Sequence, residues 1–179
     1  MKPKHTRIRR VVHLGNLGEG TPILSAPKPK IKTEKYARRF RKTHFIGIDI
    51  EHDGFRRRNW TQIKGDFLEG IKKLKDNSVD LLSSELSFGH YDPNGIEHTE
   101  LSKTHTLNTI QIVYKKLRPN GKLIVVVSKN VLPNFINAIN KTGFSKEKIQ
   151  VSEVSFAQRT RTPWTDAFYK NAWQIIAVK

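Results

Sequence analysis

The stretch HFIGIDIE, residues 44–51, climbs through apolar side chains to a glycine and then stops on acids. Its apolar residues fall on both alternating faces, the pattern of a strand covered by helices on either side. KLIVVV, residues 122–127, reads the same way. Around these two runs the chain alternates. RRVVHLG (9–15) reads as a short strand entering a glycine-rich turn, and TEKYARRFRK (33–42) as a helix with Thr33 at its N-cap. FLEGIKKLKD (67–76) has helical spacing at Leu68, Ile71 and Leu74, and SVDLLSS (78–84) is a short apolar strand. Residues 98–118 place Leu101, Leu107, Ile110, Val113 and Leu117 on one helix, and a turn at Pro119–Gly121 leads into KLIVVV. VLPNFINAINKTGF reads as a helix ending at Gly143, and two strands follow near 148–157 and 172–178. This alternation predicts an α/β fold, doubly wound around a mostly parallel sheet with an antiparallel last strand.

The length, 179 residues, suits a single domain spanning 1–179 with enough core to need no staple. There is no cysteine, which excludes disulfides, thiolate metal sites and a cysteine nucleophile. No apolar run approaches the roughly 20 residues of a membrane span. The basic start, MKPKHTRIRR, is not followed by a secretory apolar stretch, so a cytoplasmic protein is expected. Charge is the dominant compositional feature: 33 Lys+Arg against 16 Asp+Glu, a net +17. Residues 1–42 form a basic N-terminal segment with 13 Lys/Arg and two acids, Glu19 and Glu34. A field of this sign and size attracts polyanions, of which nucleic acid is the commonest.

In a chain this basic, an acid closing a buried strand calls for a reason. Ligands of open α/β sheets sit beyond the carboxyl ends of the strands, which places Asp49 at a crevice rather than in the core. After the first strand comes GNLGEG (15–20), where glycines let the backbone turn sharply and approach a ligand. In nucleotide-binding folds the acid at the end of the second strand accepts hydrogen bonds from ribose hydroxyls, which an ionised carboxylate does well because it only accepts.

With these features the sequence resembles the class I S-adenosylmethionine (SAM) dependent methyltransferases over roughly residues 9–178. VVHLGNLGEG resembles their glycine-rich first motif, FIGIDI their second strand, IKGDFLEGIKKLKDNSVDLLSSELSF their Gly-Asp pair, helix and fourth strand, and LRPNGKLIVVV their turn into the fifth strand. The resemblance implies SAM as cofactor. It assigns Gly15, Gly18 and Gly20, with Asn16 among them, to the methionine side. It gives Asp49, with Ile50 beside it, to the ribose, Asp66 and Phe67 to the adenine, and Ser84 to the border of the transferred methyl. The chain departs from the family at His13, two residues before Gly15, where an acid is frequent.

The catalytic group is not fixed by the sequence. Candidates are Glu85 in SSELSF and His90 and Asp92 in the GHYD turn. His90, His98 and His105 are spaced by eight and seven residues, which matches no compact ligand signature, so no metal is expected. Candidate substrate contacts are Lys28 and Lys30 in SAPKPKIK, and Arg159, Arg161 and Trp164 between the last two strands. Basic residues there hold phosphates, and an exposed aromatic stacks on an unpaired base. The expected function is methyl transfer from SAM to an RNA, ribosomal or transfer, with RNA as partner. The alternatives are a catalytically inactive methyltransferase-like module that binds RNA or a ribonucleoprotein, and a small-molecule methyltransferase.

Overall fold

Continuous aliphatic runs place four strands at the centre of one sheet. The computed structural model describes residues 10–14, 42–49, 55–57, 59–85, 99–154 and 172–179. In chain order the elements are β1 (Arg10–Leu14), β2 (His44–Asp49), β3 (Phe55–Arg57), β4 (Trp60–Lys64), α1 (Phe67–Lys72), β5 (Val79–Glu85), α2 (Thr99–Lys116), β6 (Leu117–Ser128), α3 (Leu132–Asn140), a 3₁₀ turn (Lys146–Lys148), β7 (Ile149–Glu153) and β8 (Ala172–Val178). Eight strands make one sheet in the order β3-β4-β2-β1-β5-β6-β8-β7. Strands β4, β2, β1, β5 and β6 pair in parallel, while β3 pairs antiparallel with β4 at one edge and β8 antiparallel with β6 and β7 near the other. The mostly parallel sheet is the one expected, with the antiparallel last strand in place. No helix among the described residues is long and apolar enough to cross a membrane.

Strand register assigns side chains to faces, because alternate residues point to opposite sides. Val12, Leu14, Ile46, Ile48, Leu82, Leu123, Val125, Val127 and Ile175 point to one face and belong to one core cluster. Ile71 from α1, Ile110 and Val113 from α2, and Phe135, Ala138 and Ile139 from α3 complete that cluster, so all three described helices cover the same face. The opposite face carries a smaller aromatic cluster of Phe45 and Trp60 with Val11 against it. Next to it lie buried His13 and Gln62, aligned in register through Gly47.

Two strands escaped the sequence reading. WTQIK (β4) carries three polar residues, yet Trp60 and Gln62 are buried on one face. FRR (β3) is a three-residue edge strand with no apolar pattern to announce it. Helix α1 ends at Lys72, short of the expected residue 76, because the chain must turn back at Asn77 (φ 52°) to enter β5. The expected Pro119–Gly121 turn is a bulge inside β6. Leu117 pairs with Val79 and Lys122 with Leu81, so the residues between are looped out, with Asn120 at φ 62°. The helix expected at 33–42 falls almost wholly outside the described residues.

Gly70 sets how closely α1 lies on the sheet. A Cβ at Gly70 would stand 2.3 Å from Cγ2 of Ile48, which is fully buried and branched at Cβ. The neighbour has little freedom to give way. Gly70→Ala is therefore expected to destabilise the fold by about 1–3 kcal/mol through overpacking, despite alanine's better helix propensity. Chemical denaturation measures it, and an unchanged midpoint would show that α1 slides without cost.

Candidate functional site

The carboxyl ends of β1, β2, β4 and β5 lie side by side. Leu14, the last residue of β1, is in register with Ile48 on one side and Ser84 on the other, and Asp49 is opposite Lys64 of β4. Asp49 and Ser84 thus flank the end of β1. Both are buried, Asp49 with 3% and Ser84 with 1% of its surface exposed. The Ser84 Oγ has no hydrogen-bond partner among the described residues. An orphaned buried hydroxyl costs about 1–3 kcal/mol and is a position where a polar ligand atom is favoured.

The Gly65–Asp66 pair is built by backbone chemistry. The Gly65 N–H donates to the Asp49 carbonyl at 3.0 Å, which ties the end of β4 to the end of β2. Gly65 has φ 146°, a conformation that glycine adopts without penalty. The turn delivers Asp66 to the N-cap of α1, where its Oδ1 accepts the Leu68 N–H at 2.7 Å. The other oxygen, Oδ2, lies 3.4 Å from Nε2 of His105 on α2. Phe67 is half-buried against the core. Asp49, Asp66, Phe67 and Ser84 are therefore gathered at one end of the sheet.

A polar pair lies one layer below. His13 Nδ1 is 2.9 Å from the Ser83 Oγ, across the β1–β5 pairing, and the Ser83 hydroxyl also reaches the Val12 carbonyl at 3.5 Å. The residue that departs from the family pattern is thus buried and held by a neighbour. His105 was considered in the sequence only as a metal ligand; its neighbour is Asp66. No local spacing signals that pairing, which arises from the packing of α2 against α1. Glu85 ends β5, and its side chain lies outside the described residues, as do Gly15, Asn16, Gly18, Gly20, Lys28, Lys30, Ile50, His90, Asp92, Arg159, Arg161 and Trp164.

No family model matches the chain, and no curated protein matches it. Solved structures do. A SAM-dependent methyltransferase from Archaeoglobus fulgidus gives a TM-score of 0.57 at 16% identity, over 96% of this chain and 86% of that one. An S-adenosylmethionine-dependent methyltransferase from Mesorhizobium loti gives 0.58 at 16% identity, over 96% and 91%. A phosphoethanolamine N-methyltransferase from Haemonchus contortus, solved with phosphomonomethylethanolamine and S-adenosylhomocysteine, gives 0.56 at 16% identity, over 96% of this chain and 49% of that one. At these identities the shared property is the fold: this chain has the Rossmann-like architecture of those methyltransferases.

Proposed function

We propose that this chain is a SAM-dependent methyltransferase whose substrate is an RNA, ribosomal or transfer. The observation that carries the cofactor half is the buried Asp49 carboxylate at the end of β2, in a fold shared with SAM-dependent methyltransferases. The donor set fits the cofactor. Asp49 supplies acceptors for two ribose hydroxyls, Asp66 retains acceptor capacity on Oδ2 for an exocyclic amine, and the orphaned Ser84 hydroxyl is on β5, across the end of β1 from Asp49. SAM, when bound, supplies an electrophilic methyl on sulfur. The chain's residues supply binding and alignment, and close, oriented approach in a dry site needs no further catalytic group. Carboxylates at this rim also suit a cationic ligand.

The RNA half rests on the net charge of +17. Small-molecule methylation is the second reading, favoured by the likeness to the phosphoethanolamine N-methyltransferase, but it leaves the charge without a role. Incubation with methyl-labelled SAM and total RNA, DNA, protein and small-amine fractions separates the readings. Label in RNA is expected. Label confined to the small-amine fraction would establish the second reading, and bound SAM with no transfer would identify a binding module.

A further inference from the structure

In this topology the helices run against the parallel strands, so helix C-termini and strand N-termini share the pole opposite the crevice. The described lysines gather there. Lys73 and Lys75 follow α1, Lys115 lies in the last turn of α2, Lys122 begins the regular part of β6, and Lys146 and Lys148 precede β7. All six are exposed, and none is within ion-pair distance of a carboxylate among the described residues.

These segments are joined physically. The Asn77 and Ser78 N–H groups donate to the Lys115 and Lys116 carbonyls at 3.0 and 2.9 Å, and the Asn120 N–H donates to the Lys179 carbonyl at 2.9 Å. Gly143 abuts the Tyr114 ring, which brings the turn before β7 to the same corner.

A basic residue at a helix C-terminus also has a structural use, because it complements the helix dipole. For α2 that role is already filled. The Lys179 Nζ donates to the Tyr114 and Leu117 carbonyls, both at 2.7 Å, and to Asn77 Oδ1 at 2.9 Å. Lys122, Lys146 and Lys148 follow no α-helix terminus. Among the described residues the pole's own acids do not balance it: Asp76 is paired with Lys116 at 2.7 Å and buried Asp80 with Arg118, which leaves Glu147. The Asp76 carboxyl is held below its ordinary value by the Lys116 hydrogen bond and charge, with further lowering from Lys115 and Lys179, as in a positive local field. Among the described residues the crevice end shows the opposite balance, with Asp49, Asp66, Glu85, Glu100 and Glu153 against Lys64, Lys103 and Lys129.

We propose that this pole is a second, non-catalytic RNA contact that holds the phosphate backbone while the crevice holds the modified base; the proposal rests on the RNA reading above. The two ends of the molecule are separated by the length of α2, 18 residues or about 27 Å. A single nucleotide cannot touch both, so the substrate is an extended or folded RNA that wraps the molecule. Among the described residues the exposed large apolar side chains are Leu101 and Val151, neither within this lysine group, so the surface offers phosphate binding without an apolar anchor.

The test uses the full chain with Lys73, Lys75, Lys122, Lys146 and Lys148 changed to Gln, and a milder Lys146→Gln/Lys148→Gln variant should the first fold poorly. Affinity for total transfer RNA and ribosomal RNA is measured against salt, alongside calorimetric titration with S-adenosylhomocysteine and binding to phosphatidylserine vesicles. The five-lysine variant should flatten the log–log salt slope by about 3–4, and the double variant by about 1–2. S-adenosylhomocysteine affinity should not change. An unchanged RNA slope and affinity overturns the proposal while wild-type RNA binding keeps the RNA reading. Wild type that binds no RNA at low salt removes both. Loss of vesicle binding with RNA binding retained would make the pole a membrane surface and overturn it as well.

Discussion

Arg118→Ala is expected to lower the unfolding free energy by about 3 kcal/mol. The Asp80 carboxyl side chain is 4% exposed and its Oδ1 lies 2.5 Å from Arg118 Nη2. Its other oxygen accepts the Arg10 N–H at 2.6 Å, which ties β5 to the start of β1. Removing the arginine strands a buried anion, an error that costs about 3–5 kcal/mol. The Arg118 side chain is 33% exposed, so water reaches part of the vacated space and the lower end applies. For a chain of this size that is a fall in melting temperature of about 6–12 °C. Replacing both partners, Asp80→Leu with Arg118→Met, should recover part of the loss, because no charge then remains to be neutralised although the Arg10 N–H loses its acceptor. A single variant within 1 kcal/mol of wild type would show that the pair is dispensable.

The second large effect concerns binding rather than stability. Asp49→Ala should weaken SAM and S-adenosylhomocysteine binding by about 2–3 kcal/mol, or roughly 30- to 150-fold, through loss of charge-assisted hydrogen bonds to ribose. The folded protein should keep its melting temperature to within a few degrees. The two buried acids are thus expected to behave oppositely, Asp80 as a support of the fold and Asp49 as a support of a ligand. Unchanged affinity in a folded Asp49→Ala protein would remove Asp49 from the site.

The contrast between legible and hidden features follows from where the information lies. HFIGID and KLIVVV revealed themselves because parallel strands buried on both faces read as continuous apolar runs. WTQIK did not, since Trp60 and Gln62 face one side while Thr61 and Ile63 face the other, and short polar alternation resembles a loop. Asp49 was legible because it closes an apolar strand, whereas Asp66 and Ser84 were named only through the resemblance, Asp66 following a strand whose polar sequence hid it. The Asp66–His105 approach was not, because it depends on how α2 leans on α1. Charge behaved similarly. Composition gave its sign and size, but only the antiparallel course of helices against strands brings lysines from α1, α2, β6 and the turn before β7 to one pole.

The claim on which the account depends is that this chain holds SAM at the carboxyl end of its sheet. Titrating S-adenosylhomocysteine into the folded wild-type protein by calorimetry tests it most directly, since binding is read without knowledge of the methyl acceptor. One ligand per chain with a dissociation constant in the micromolar range, about −8 kcal/mol, is the expected result. No binding up to about 1 mM, where the free energy would be weaker than about −4 kcal/mol, would contradict the account and leave the chain with the fold of SAM-dependent methyltransferases but not their cofactor.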